Sequence, residues 1–367
     1  MPWNADRHTR HTDLPKAGGP GADTFPRNRP KSLPPATSGG AVLQDAPLED
    51  IRDTIGGTPL VPLDRLFPGP GRVWAKLEGF NPSGSAKDRT AAALLDSAVT
   101  SGVLEPGGCV VESSSGNLGV ALARDCALRN ISFHCVVDPR ANLQTIAVMS
   151  AFGATVHRVT APDPETGDWL TARRARVREL LRELPGSVTL DQYSNQAAFD
   201  AHSAGTMREI AEELGHLPDA LLVAVSTTGT LGGCARYLRG SGAKTRIIAV
   251  DAQGSVLYGG ERGDRALPGF GAGVVPELAE LTTVDEVIRV SPADTVAGAR
   301  ALARSEAILP GASGGAVIAA ARKLVAAGPP VDADTVLIIH DFGNAYTDTL
   351  YNDEWVADTI GDVPSWP

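Results

Sequence analysis

The chain is poor in sulfur and in aromatic rings: of 367 residues, four are Cys and three Met, and 5% are Phe, Trp or Tyr. Cys109, Cys126, Cys135 and Cys234 form no Cys-x-x-Cys, and the seven histidines show no His-Glu-x-x-His or comparable spacing. A metal site is therefore not expected. Reduced, buried thiols in a cytoplasmic protein are the expectation instead. No apolar run approaches the ~18 residues that cross a bilayer, and the first 15 residues hold no apolar signal core. Basic residues are in deficit, 33 Lys and Arg against 43 Asp and Glu, for a formal charge of −10. That balance argues against a phosphate-backbone binder, so neither nucleic acid nor a membrane is expected as partner.

What is present is an ordinary globular composition, 43% hydrophobic and 21% charged. The length suits about two domains at ~100–200 residues each. Residues 1–40 stand apart, with seven prolines, five glycines and, of Leu and Phe, only Leu14, Phe25 and Leu33. Such a segment buries too little apolar surface to offset its ordering entropy, so residues 1–48 are expected to form a disordered or draped tail. Beyond it, short apolar runs alternate with helical patterns. Strands are expected at 72–77, 109–112, 132–137, 155–159, 221–225, 247–251 and 336–340. Helices are expected at 89–101, 118–129, 143–152, 168–184, 196–214, 231–239, 294–305 and 314–327. Apolar strands alternating with helices describe an α/β protein with a parallel sheet.

Ligands in such folds sit where strands end and helices begin. Three of these junctions carry unusual chemistry. The turn Asn81-Pro82-Ser83-Gly84-Ser85-Ala86 ends in Lys87 at the mouth of a helix. The positive helix end disfavours an ammonium there, and a neutral lysine is what a Schiff base needs. The alternatives are a surface lysine in a turn or a P-loop, but a P-loop needs Ser or Thr directly after the lysine, where this chain has Asp88. The second junction, Ser113-Ser114-Ser115-Gly116-Asn117, offers amides and hydroxyls to an anion, or else is a serine-rich cap. The third, Ser226-Thr227-Thr228-Gly229-Thr230, makes a phosphate cradle, or else a plain Thr/Gly turn. It lacks both a lysine and a G-x-G-x-x-G, which disfavours ATP and NAD. One reactive lysine, one anion loop and one phosphate cradle are together the parts of a pyridoxal phosphate enzyme.

The order and spacing of these segments, with Ser313-Gly314 further on, resemble the fold-type II pyridoxal phosphate enzymes, the cysteine synthase/cystathionine β-synthase family. The resemblance runs from about Leu48 to Trp355. It implies a tryptophan synthase β-like α/β fold of two domains, each with a mostly parallel sheet flanked by helices. Residues 49–86 with 194–362 would form the large domain, and 87–193 a smaller mobile one. By the same resemblance, Lys87 would carry pyridoxal 5′-phosphate as a Schiff base and act as the base at the substrate's α-carbon. Asn117 would bond the cofactor's 3′-oxygen, Ser226, Thr227, Thr228, Gly229 and Thr230 would hold its phosphate, and Ser313 would face its ring nitrogen. Ser114, Ser115 and Gly116 would grip the substrate carboxylate.

Within the family, Ser-Ser-Gly-Asn-Leu-Gly at 114–119 and the segments 135–140, 191–195, 250–256, 267–272 and 351–355 resemble one branch. That branch joins O-phospho-L-serine to the amine of L-glutamate, on the way to L-2,3-diaminopropionate for siderophores or peptide antibiotics. The resemblance makes Arg173, Gln192, Tyr193 and Ser226 substrate-side residues. The rival for Arg173 is a solvated helix face, since Arg173, Arg174, Arg176 and Arg178 cluster. Two departures stand out: the 138–142 loop is short for the branch, and no Arg precedes Tyr346. A sulfhydrylase, a serine/threonine deaminase and a non-catalytic binding subunit are the rival functions. The family is usually homodimeric.

Overall fold

The computed structural model describes residues 47–69, 71–328 and 333–366; the tail expected at 1–48 lies almost wholly outside them. Residues 48–367 form one compact unit. In chain order its first half runs β1 (Leu60–Pro62), β2 (Arg72–Leu77), α1 (Lys87–Thr100), β3 (Cys109–Ser113), α2 (Asn117–Leu128), β4 (Ser132–Val137), α3 (Leu143–Ala151), β5 (Thr155–Arg158), α4 (Trp169–Glu183) and β6 (Ser187–Val188). There follow α5 (Ala197–Ala201), α6 (Arg208–Leu214), β7 (Ala220–Ala224), α7 (Gly229–Gly240), β8 (Arg246–Ala252) and α8 (Glu277–Glu280). The last elements are β9 (Glu286–Val290), α9 (Pro292–Glu306), α10 (Ala312–Ala326), β10 (Asp334–Ile339) and α11 (Asp353–Thr359).

Two sheets result. The larger has the order β1-β2-β10-β7-β8-β9, parallel except where β1 meets β2, and the smaller is β5-β4-β3-β6, all parallel. All strands of the smaller sheet fall between 109 and 188. Alternation along each strand explains why both faces are covered. On β7, Ala220, Leu222 and Ala224 enter one apolar cluster with Val317 and Ile318 of α10, while Leu221 and Val223 enter another with Leu231 and Leu238 of α7. On the smaller sheet, Val110, Phe133 and Cys135 pack with α1 and α2, whereas Val111 and Val136 pack on Val177 and Leu180 of α4. Helices α9 and α10 approach so closely that a methyl group on Gly298 would lie 2.3 Å from the Gly315 carbonyl oxygen.

The seven expected strands are all present, with ends shifted by up to two residues. Three more, β1, β6 and β9, escape the sequence reading, because β1 and β6 are only three and two residues long and β9 is a half-buried edge. The helix expected at 196–214 is not continuous: a π-helical turn at His202–Met207 separates α5 from α6. There α7 presses on the chain, with Gly232 against Phe199 and Gly233 against the Phe199 carbonyl and His202. The wider turn accommodates that contact and seats His202 among threonine hydroxyls. Among the described residues, no helix is long and apolar enough to cross a membrane.

Candidate active site

The carboxyl ends of β10 and β7 meet the amino ends of α1, α2, α7 and α10 around one cavity. Its wall includes Ser85, Lys87, Asn117, Ser226, Thr227, Thr228, Gly229, Thr230, Ser313, His340 and Asp341, and the cavity opens to solvent. Every residue that the sequence assigns to the cofactor is therefore on one surface, although the set spans positions 87 to 313.

The lysine turn is held rigidly. Gly84 takes the left-handed conformation that closes it (φ +89°), and the Ser83 amide and hydroxyl both donate to Asp88, at 3.0 and 2.6 Å. The Ala86 amide donates to the His340 carbonyl at 2.8 Å, tying the turn to the end of β10. Two residues on, Arg89 pairs with the buried carboxylate of Glu78 at 2.7 Å and the half-buried one of Glu209 at 2.6 Å. Burial pushes the Lys87 pKa down, and the nearby Asp341 carboxylate holds it up in part. Desolvation in the cavity, more than the helix end invoked from sequence, is thus the cause that favours the free amine.

The β7–α7 loop shows strain at the point of use. Thr228, which caps α7, has φ +64°, a conformation that a β-branched residue adopts at a cost of about 1–3 kcal/mol. No side chain caps the first amides of α7, which open onto the cavity wall at Gly229 and Thr230. Uncapped amides at the positive end of a helix, beside three hydroxyls, fit a phosphate group. The cavity therefore fits pyridoxal phosphate: an amine at one end, an anion cradle at another, and Asn117 and Ser313 between.

Two residues that sequence reasoning missed bear on the site, Asp341 in the wall and His202 behind it. Asp341 is buried, and burial raises its pKa. It accepts from Asn117 Nδ2 at 2.8 Å, Tyr346 OH at 3.3 Å and Ser313 Oγ at 3.4 Å, so the two side chains assigned to the cofactor ring converge on it. A polar His-Asp pair at the end of an otherwise apolar strand was the available signal. Behind the cradle, His202 is fully buried. Its Nε2 lies 3.1 Å from Thr90 Oγ1 and 3.3 Å from Thr230 Oγ1, and its Nδ1 2.9 Å from Thr206 Oγ1. Burial, then the charge of Lys87, keeps this imidazole neutral well below its ordinary pKa.

Of the residues assigned to the substrate, Ser226 lines the cavity, donating from Oγ to the Gly271 carbonyl at 3.2 Å. Ser114, Ser115, Gly116, Arg173, Gln192 and Tyr193 lie outside that wall. The Ser114 hydroxyl is turned inward, where it accepts from the Gly119 amide at 2.9 Å. Gln192 is buried beneath the same loop, its side-chain amide 3.5 Å from the Ser113 carbonyl. Arg173 is not a solvated helix residue: it is mostly buried, 3.3 Å from Asp138 and 3.4 Å from Ser115 Oγ. Its neighbour Arg174 lies over the Tyr193 ring, 5.5 Å from the centroid.

Residues 51–341 match the family described as pyridoxal-phosphate dependent enzyme. Two relatives named N-(2-amino-2-carboxyethyl)-L-glutamate synthase are similar to this chain, each match covering 84% of it and 91% of the relative. One, from Ralstonia nicotianae, is 43% identical over 311 residues. The other, from Cupriavidus metallidurans, is 40% identical over 310. Among solved structures, an O-acetylserine dependent cystathionine beta-synthase from Helicobacter pylori superimposes with a TM-score of 0.77 at 28% identity, covering 83% of this chain and 98% of that one. An O-ureido-L-serine synthase does so with a TM-score of 0.77 at 29%, covering 85% and 100%.

Proposed function

This chain belongs to the pyridoxal-phosphate dependent enzymes, and on that premise we propose that it catalyses β-replacement on an activated serine. The reaction joins O-phospho-L-serine and L-glutamate to give N-(2-amino-2-carboxyethyl)-L-glutamate and phosphate, the product for which the two relatives are named. The observation that carries the reading is the convergence of Lys87, Asn117, Ser226–Thr230 and Ser313 on one cavity.

In this reading the α7 amides with Ser226, Thr227, Thr228 and Thr230 would hold the cofactor phosphate, Asn117 and Ser313 would orient the ring, and Lys87 Nζ would be the point of attachment. Bound there, the cofactor supplies an electron sink for bond breaking at the substrate's α-carbon. Desolvation, which lowers the pKa of Lys87 Nζ, favours the free amine that takes the α-proton, and the same lowered pKa lets it give the proton back once the new bond has formed. Ser313, as a neutral hydroxyl, does not impose a charge on the ring nitrogen, which favours loss of a group from the β-carbon. Ser115, Gly116 and their amides would meet the substrate carboxylate after residues 87–193 close over the cavity, and closure would exclude water from the reacting carbons.

The test is mass spectrometry of products from purified holoenzyme given O-phospho-L-serine or O-acetyl-L-serine, each with L-glutamate or sulfide. An adduct of the serine carbon skeleton on the glutamate nitrogen is expected. Cysteine from sulfide, with glutamate untouched, would make the protein a sulfhydrylase instead.

A further inference from the structure

L-Glutamate arrives at neutral pH with its α-amine protonated, and an ammonium has no lone pair with which to attack carbon. One proton therefore leaves that nitrogen as its bond to the substrate's β-carbon forms, and some group accepts it. In the proposed reaction Lys87 is by then committed, since it holds the proton that returns to the α-carbon. A second proton carrier has to come from elsewhere on the wall.

Three of the wall residues can titrate: Lys87, His340 and Asp341. Asp341 is engaged, accepting from Asn117, Ser313 and Tyr346. His340 differs: its Nδ1 is buried and finds no hydrogen-bond partner among the described residues, which is uncommon for a polar atom in a native interior. Alternation along β10 says which way the ring lies. Val336 and Ile338 enter the cluster beneath α7 with Leu231, whereas Leu337 and Ile339 enter the one beneath α10. Continued by two residues, the pattern puts His340 on the α7 side and Asp341 on the α10 side, where Ser313 meets it. Main-chain contacts hold this register past the end of the strand: the Ala86 amide donates to the His340 carbonyl at 2.8 Å, and Ser85 bridges to Asp341. The residue that anchors the lysine turn therefore also carries the unengaged imidazole. The titratable groups around it are Lys87 from α1, Asp341 beside it in sequence, and the neutral His202 behind the cradle. Burial, and then the charge of Lys87, hold the His340 pKa down to about 3, so the ring stands neutral, in the form that accepts a proton. Anionic substrates in the cavity act the other way and favour the imidazolium once it forms.

We propose that His340 is the base for the incoming nucleophile, its imidazole taking one proton from the glutamate ammonium as the nitrogen bonds to the β-carbon. The proposal rests on the β-replacement reading. The N–H electron pair becomes the new N–C bond, the pair displaced from the β-carbon moves to the α-carbon, and Lys87 returns its proton there. The proton on His340 then passes to solvent through the open mouth. That loss balances the proton gained by the phosphate released from the donor.

The experiment compares wild-type holoenzyme with His340→Gln and His340→Asn. Phosphate release from O-phospho-L-serine is followed first, in a single turnover without glutamate. Turnover with L-glutamate is then measured from about pH 6 to about pH 9, a range below the pKa of an aliphatic amine. Both variants should keep the cofactor absorbance and release phosphate within about threefold of the wild-type rate, because neither depends on the nucleophile's base. Product formation with glutamate should fall by about 10²-fold or more at neutral pH. The deficit should shrink by about tenfold per pH unit as pH rises, since solution then supplies the free amine. Wild type should vary by less than about threefold over the same range, its imidazole being neutral throughout. Unchanged glutamate turnover in the variants overturns the proposal, as does an equal loss in phosphate release or a deficit that raised pH leaves in place. A tenfold rise per pH unit in the wild type overturns it too, whatever the variants do. A wild-type enzyme that releases phosphate and leaves glutamate unused overturns the proposed function instead, which separates the two failures.

Discussion

Asn117 Nδ2 and Asp341 Oδ2 lie 2.8 Å apart although 224 positions of chain separate the two residues. The bond joins the amino end of α2, beside the smaller sheet, to the end of β10 in the larger one. Asp341 is also the anion that props up the pKa of Lys87 against burial. One carboxylate therefore links Asn117 to the Lys87 amine.

Replacing Asp341 with Asn keeps the shape and removes that charge. Without it, the Lys87 pKa should fall further. Uptake of pyridoxal phosphate by apoprotein requires the neutral amine, so the acid limb of its rate against pH should move to lower pH in D341N. Stopped-flow absorbance would follow this, and a limb that stays in place or moves up contradicts the coupling.

Loss of the amine itself is a stronger change. Lys87→Ala should lower kcat by at least about 10²–10⁴-fold, the usual worth of a positioned acid–base group. The uncapped amides of α7 remain, so the variant should still bind the cofactor by equilibrium dialysis while lacking its Schiff-base absorbance. Full turnover in K87A would refute the mechanism.

Two desolvated imidazoles, His202 in the interior and His340 on the cavity wall, make stability depend on pH. Burial, with the Lys87 charge, holds His340 at about 3 and His202 well below its ordinary value. Below an unfolded value of ~6.5 the unfolded chain binds protons that the folded chain refuses. Stability is thus full above that pH and falls as pH drops from about 6.5 toward 3, by up to ~1.4 kcal/mol per pH unit for each histidine. Urea unfolding from pH 7 to 5 measures it, and His340→Gln should remove one histidine's share of the slope.

The contact between α9 and α10 offers a test remote from the chemistry. Gly298→Ala places a methyl group against the Gly315 carbonyl. Forcing the helices apart should cost about 1–3 kcal/mol in urea unfolding. Because Ser313 sits in the first turn of α10, the same change should weaken cofactor retention; unaltered stability would show that the helices yield freely.

Much of this architecture is legible in sequence where local pattern decides. Buried parallel strands such as Ser132–Val137 announce themselves as apolar runs, and the lysine, asparagine and threonine loops by small residues at fixed places. What stays hidden is whatever depends on distant partners. His202 reads as one polar residue in a helical stretch, and only Thr90, Thr206 and Thr230 in space make it part of the cradle. Arg173 reads as one of four clustered arginines, and its burial against Asp138 comes from the packing of α4 on the smaller sheet. Ser114 reads as a ligand, yet its hydroxyl closes the first turn of α2.

Helix α1 is tied at its first turn to the end of β10 and farther along to the smaller sheet. Its first residue follows Ser85 and Ala86, which pair with Asp341 and His340 just past the end of β10, while Leu94, Leu95 and Ala98 sit in the core of the smaller sheet. If the smaller sheet swings, α1 is the lever and Lys87 the fulcrum. Structures solved with and without substrate would then show the Cα of Asn117 travelling farther than that of Lys87. Placed at the pivot, the amine can keep its aim on the substrate's α-carbon while the wall opposite opens to admit the second amino acid.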